Sequence, residues 1–185
     1  PDIRVDCPRS GQIVQHSGRY RLKKILRLQS ALLKEIDKYE KLVPERDHFI
    51  DWERVHISSS AKIGYMMAEE RGEDPVLAAA ACACHDYGRI ISGKQAGHAE
   101  RGYEPVQAFL RETGLFNEDE IAVIAIAVKN HSKKAEIGSP IEEIVKDADV
   151  LDFYQYGYDV ARKEQQDRLE RLLGREVPGL KFSRK

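Results

Sequence analysis

Apolar residues recur along the chain at helical intervals, and no run shows the two-residue alternation of a half-buried strand. Leu22, Ile25, Leu26, Gln29, Leu32, Leu33, Ile36 and Tyr39 return at three- and four-residue steps, which predicts an amphipathic helix ending near Pro44. A second helix is expected from about Asp51 to Arg71, closed by Gly72. Asp74 followed by Pro75 is a cap with proline at the first helical position, opening a third helix through an alanine-rich run to His85. Gly88, Gly93 and Gly97 predict a loop. A fourth helix follows from about His98 to Glu112, with Pro105 as a kink or late start and Gly114 as its end. Asn117 and Glu120 have the spacing of a capping box ahead of Ile121, Ile124, Val128 and His131. Ser139 and Pro140 repeat the cap-plus-proline signal and open a long last helix, through Asp149 to about Leu173, with Gly157 as a point of interruption.

These patterns predict an all-α, single-domain bundle of about six or seven helices. Residues 1–46 are expected to form a basic amphipathic helix packing on the core, 47–173 the main helical domain, and 174–185 a loosely ordered tail. The stripe of Leu22, Ile25, Leu32 and Leu33 predicts packing on the chain's own domain, with a homodimer contact as the alternative. Apolar residues are 42% of the chain and charged residues 33%, enough of each to build a core and to solvate it, so wholesale disorder is not expected. The longest uncharged stretches, 76–85 and 121–128, fall short of the roughly 20 apolar residues of a membrane span. The chain opens on Pro1, Asp2 and Arg4 rather than on an apolar run, and its three cysteines do not make a disulfide framework. A cytoplasmic protein without membrane contact is the expectation.

Net charge is −1, but its layout is uneven: residues 1–46 carry a surplus of +5, residues 47–161 carry −10 and the remainder +4. The basic ends read as solvated helix faces, or as a rim attracting an anion. With no strongly basic domain, no recognised motif and no aromatic platform in the sequence, nucleic-acid binding is not expected.

Four of the six histidines lie where an apolar core would not choose them. His56 shares a stripe with Trp52 and Ile63, His85 with Leu77 and Ala81, and His131 with Ile121, Ile124 and Val128; His98 follows the glycine-marked stretch. Asp86 follows His85 directly, and Asp149 and Asp152 fall on the inward side of the last helix with Val145. Burying these groups without partners would cost free energy several times over. A divalent cation in the middle of the bundle satisfies them together. Imidazole and carboxylate donors suit Mn, Fe, Co, Ni or Zn, whereas Ca prefers oxygen alone. Neighbours on a helix point about 100° apart, so His85 and Asp86 can share an ion only where a helix ends; Gly88 is expected to supply that end. Cys82 and Cys84, two apart on a helix, read as small buried residues rather than as a chelating pair.

His56, the His85-Asp86 doublet and Asp149 within Lys146-Asp147-Ala148-Asp149-Val150-Leu151-Asp152 resemble the H…HD…D signature of the HD superfamily of metal-dependent phosphohydrolases, over about Glu53 to Phe153. The resemblance implies an all-α fold and one metal held by His56, His85, Asp86 and Asp149, with Asp147 and Asp152 as supporting groups. His98 and His131 extend the pattern to H…HD…H…H…D. In subfamilies with that longer signature these two histidines hold a second metal and the aspartate of the doublet bridges. The alternative is that His98 and His131 bind substrate phosphate. Those subfamilies include hydrolases of cyclic dinucleotides and diadenosine polyphosphates, and some di-iron oxygenases.

The implied activity is hydrolysis of a phosphate ester or anhydride of a nucleotide or another small phosphorylated metabolite, dependent on one or two divalent transition metals. Asp86, Asp147 and Asp152 are the candidate catalytic carboxylates, the latter two to orient water. Arg89, Lys94, Lys129 and Lys146 are the candidate substrate-binding cations, with Lys133 and Lys134 beside them. A di-iron oxygenase on the same ligand set is one alternative. A nucleotide-binding regulatory module without turnover is the other.

Overall fold

The structure, a computed structural model, describes residues 10–174, with side chains from Arg21 onward. The expected tail therefore lies outside the described residues, apart from Gly174, as does Cys7. Helix α1 spans Ser10–Leu42, α2 Ile50–Arg71, α3 Pro75–Cys84, α4 Tyr87–Ser92, α5 His98–Thr113, α6 Glu118–Asn130, α7 Pro140–Gln155 and α8 Lys163–Leu173. Among the described residues there is no strand, and no helix is long and apolar enough to cross a membrane. The all-α reading is correct.

The alanine-rich α3 is the axis of the bundle, packed against α1, α2, α6 and α7. Ala78 to Cys84 are buried on every side, as a helix that is apolar all round must be. Its small side chains let the surrounding helices approach. Gly64 of α2 faces Cys82 so closely that an added Cβ would sit 2.4 Å from the sulfur. Cys82 and Cys84 are buried free thiols, pushed well above the ordinary cysteine range by desolvation, in keeping with their reading as small core residues.

Three helix starts form by local chemistry. The Asp74 side chain accepts from the N–H groups of Val76 and Leu77 (2.8 and 3.1 Å). Asn117 with Glu120, and Ser139 with Glu142, form complete capping boxes. On α1, Ile25, Leu28, Leu32 and Ile36 are buried, while Leu22, Leu26 and Leu33 are exposed. Two overlapping stripes run along this helix, and the core takes the one that includes Leu28.

One stretch differs from the expectation. Residues Tyr87 to Ser92 form helix α4, not a loop, because Gly88 meets Gly102 of α5 backbone to backbone; a Cβ on Gly88 would lie 2.0 Å from the carbonyl oxygen of His98. Helix α5 begins at His98 and runs through Pro105. The long last helix is interrupted where Gly157 marks it: α7 stops at Gln155, Gly157 takes a left-handed conformation (φ 79°), and α8 packs beside α7. Val150, Val160 and Leu169 close a small cluster of their own across this break.

Candidate metal centre

His85 and Asp86 occupy the two-residue break between α3 and α4. The helix ends one residue before the doublet, not at Gly88, and this frees the two side chains to converge. His131 caps the C-terminus of α6, and His98 is the first residue of α5, after Gly97 with φ 67°. His56 and Asp149 come from the interiors of α2 and α7.

All four imidazoles are buried and turned the same way. His85 Nδ1 faces the Cys82 carbonyl (2.6 Å), His98 Nδ1 that of Gln95 (2.7 Å) and His131 Nδ1 that of Val128 (2.7 Å). Each uses the carbonyl three residues earlier, a group that at a helix end or turn lacks the usual N–H partner four residues on. His56 lies mid-helix, where no carbonyl is spare, and its Nδ1 instead meets the Asp152 carboxylate at 2.5 Å, which also accepts from Ser59 Oγ (2.8 Å). A carbonyl oxygen cannot donate, so the imidazole proton sits on Nδ1 at the three carbonyl-bonded rings, and the carboxylate sets the same tautomer at His56. Four Nε2 lone pairs are left facing inward.

Those nitrogens are crowded: His56 and His85 Nε2 are 3.0 Å apart, and His98 and His131 Nε2 2.9 Å. Asp86 lies between the two pairs. Its Oδ1 is 3.0 Å from His98 and 3.5 Å from His131; its Oδ2 is 3.3 Å from His85, 3.6 Å from His56 and bonded to Arg89. Asp149 Oδ1 adds a second oxygen, 3.4 Å from His56 and 3.5 Å from His85. Its other oxygen accepts from the buried Lys134 ammonium at 2.5 Å, which leaves one oxygen for the centre. His56, His85 and Asp149, and also His85, Asp86 and His131, stand close enough to hold an ion. Acceptors converging without donors fit a divalent cation of the imidazole-and-carboxylate type.

The electrostatics agree. Against the desolvation of burial, Arg89 and His85 hold Asp86 well below the usual carboxylate range, and Lys134 and His85 do the same for Asp149. With no cation between them the two carboxylates outweigh burial and push His85 up to about 10, placing on its Nε2 a proton that a bound metal would displace, whereas burial takes His131 down to about 4. The half around His85 demands positive charge.

A cavity of about 540 Å³ opens over the centre, walled by His48, Trp52, Arg89, Phe153 and Arg162. Of the expected substrate-binding cations only Arg89 lines it, and its charge is engaged by Glu53 (2.6 Å) and Asp86. Lys94 pairs with Asp47 at 3.3 Å, Lys129 lies over the Tyr103 ring, and Lys146 is buried against the Glu136 carbonyl and Glu143. These three are outside the cavity because their helix faces and loop point elsewhere. Asp147 is held by Arg71 and Arg168, both at 2.9 Å, and cannot orient water at the centre. Asp152 lies behind the His56 ring, where it positions the imidazole rather than a reactant. Sequence reading missed that Lys134 holds Asp149 and that His48 and Arg162 reach the cavity. Nothing in periodicity marks a lysine that buries its charge, or a rim drawn from distant segments.

The HD domain family matches residues 55–154. Ribonuclease Y of Borreliella burgdorferi is 35% identical over 124 residues, 63% of this chain and 22% of that protein; ribonuclease Y of Borreliella afzelii is 34% identical over the same shares. The chain thus spans little more than a fifth of the length of the curated relatives it matches. No solved structure matches it. With the family matched over more than half of its length and the His-Asp doublet at the centre of the cluster, the chain belongs to the HD domain family, a superfamily of metal-dependent phosphohydrolases.

Proposed function

We propose that the protein hydrolyses a phosphate ester or anhydride of a nucleotide or small phosphorylated metabolite, using divalent transition metal held by His56, His85, Asp86 and Asp149, with a second ion at His98 and His131. One observation carries this reading: four inward Nε2 lone pairs and two carboxylates meet with no donor of their own except Arg89 and Lys134 at the edges. A divalent cation held by these residues would supply Lewis-acid polarisation of a phosphoryl oxygen and a lowered pKa for bound water. Asp86 presents one oxygen to each histidine pair, so it could serve both positions if two ions were held. Asp152 and the three backbone carbonyls fix the imidazoles before substrate arrives. Arg89 and Lys134 keep the two carboxylates ionised and aimed. At the rim, Arg162 faces the cavity and supplies charge to the phosphate, while His48, kept below the usual histidine range by burial and by Arg89, faces it as a neutral imidazole.

A second reading, a phosphodiester in RNA, is favoured by the similarity to ribonuclease Y. A phosphate-release and cleavage screen separates the two: nucleotides, sugar phosphates and short RNA, each with Mn, Fe, Co, Ni or Mg. Release of phosphate from small esters supports the first reading, and chain cleavage of RNA alone supports the second. Oxygen uptake by an iron-loaded protein with no phosphate released would overturn both in favour of an oxygenase.

A further inference from the structure

Beside the metal cavity runs a second groove of about 720 Å³, and the two share His48, Trp52, Arg89 and Phe153 as a common wall. Its lining is largely aromatic. Phe49 and Trp52 come from the start of α2, and Tyr156 and Tyr158 from the break between α7 and α8. No such platform is visible in the sequence, because its two halves lie about a hundred residues apart and the second half depends on how the chain folds back after the break at Gly157.

The rings are ordered but not buried. Trp52 stacks on His56 (centroids 4.9 Å, 22° between planes) and receives Tyr158 and Tyr156 edge-on at 4.9 and 5.4 Å. Tyr158 in turn stacks on Phe153 at 4.7 Å. Yet Phe49 is 89% exposed, Tyr156 50% and Tyr158 47%. Single exposed apolar side chains are ordinary, but a contiguous group lining one groove marks a binding surface. The volume lies within the range of small-molecule sites, roughly 300–1,000 Å³. Chemistry changes along its length: imidazoles and carboxylates at one end, Arg89 and His48 at the junction, and beyond them mainly aromatic faces, with Val55 and with Asp51 paired to Arg54 at the outer edge. A ligand filling both ends is a phosphate joined to a planar ring.

We infer that the aromatic groove is a nucleobase subsite, so that the substrate is a mononucleotide with its phosphate over the metal centre and its base against Trp52, Phe49 and Tyr158. The inference rests on the phosphohydrolase reading and narrows it from phosphate esters in general to those bearing a base. Stacking on aromatic side chains contributes about 1–3 kcal/mol per base, or roughly fivefold to 150-fold in affinity.

Trp52 is the only tryptophan in the chain, so its fluorescence reports on the groove independently of turnover. The Mn-loaded protein is titrated with adenosine monophosphate and with ribose 5-phosphate, and phosphate release from both is followed in parallel. The expected result is binding of the nucleotide at least about fivefold tighter than the sugar phosphate. That preference, in affinity and in kcat/KM, falls by a similar factor in Phe49→Ala and in Tyr158→Ala, and survives in Tyr158→Phe. Equal affinity for the two ligands overturns the inference, as does a preference untouched by both alanine variants. A change of oligomeric state in Phe49→Ala with the preference intact overturns it in favour of a protein-docking face. Preferential nucleotide binding with no phosphate released keeps the groove and removes the hydrolase. Equal binding with equal release keeps the hydrolase and removes the groove.

Discussion

On one side of α7, Glu143 and Asp147 share the guanidinium of Arg168 at 2.8 and 2.9 Å, and Glu143 also takes the buried Lys146 ammonium at 3.0 Å. On the other side, Asp149 and Asp152 face two imidazoles and only one ammonium, that of Lys134. Both regions bury charge on the same helix. In the first, each acid has its cation from the protein, and the ensemble ties α8 to α7. In the second, acceptors outnumber donors around a shared centre. A buried polar cluster closed within itself is structural, because removing one partner leaves an uncompensated charge. A cluster missing its cations is built for something supplied from outside. This contrast, more than any single residue type, separates the working side of α7 from its supporting side.

The comparison can be broken from either side. The largest effect is expected from Asp86→Ala, which removes the group shared by both histidine pairs: metal-dependent phosphate release should fall by at least about 10³-fold while the far-UV helical signal is retained. Unchanged turnover in a folded variant would end the proposed mechanism. Asp152→Asn comes next. It loosens the orientation of His56, and metal affinity should drop by about 10–100-fold, with activity returning at high metal concentration. On the supporting side, Lys146→Met should destabilise the fold by about 1–3 kcal/mol, read by denaturant unfolding, with KM unchanged. A raised KM without loss of stability would return Lys146 to the substrate.

A smaller effect is tied to pH. Although partial burial opposes ionisation, Arg168, the Gly138 N–H and Lys146 bring Glu143 down to about 2 from an ordinary 4.5. A carboxylate depressed in the folded state contributes stability that is complete above its unfolded value and lost as pH falls through its folded one. The melting temperature should therefore fall between about pH 4.5 and pH 2, and less steeply in Glu143→Gln. The smallest effect is expected from Lys94→Ala and Lys129→Ala. Neither side chain lines the cavity, so kcat/KM should change less than about twofold, within the range of ordinary surface substitutions.

Much of this was legible in the residues alone, and the divide follows physical range. Asp74-Pro75, Asn117 with Glu120 and Ser139 with Glu142 act over three or four positions, so their helix starts read directly from the chain. His56, His85, Asp86, His98, His131 and Asp149 stood out because inward polar groups on apolar stripes demand a common explanation, and the structure draws them together. What escaped depends on distant contacts. Gly88 reads as a breaker until Gly102 is placed against it, and although Gly157 marks the α7–α8 break in the sequence, the packing of Val160 and Leu169 on Val150 that closes it does not show there. Lysines near a site in sequence divide by where the fold aims them, so Lys134, in the turn after α6, reaches Asp149 while Lys146, on α7, turns to Glu143. The aromatic groove needed both the break and the start of α2.

Metal content is the most direct measure of the central claim. The purified protein, loaded with Mn or Fe and dialysed against metal-free buffer, should retain at least one ion per chain by elemental analysis; Asp86→Ala, equally folded, should retain less than half as much. Wild-type protein that keeps no transition metal after loading with any of Mn, Fe, Co, Ni or Zn would contradict the account at its root.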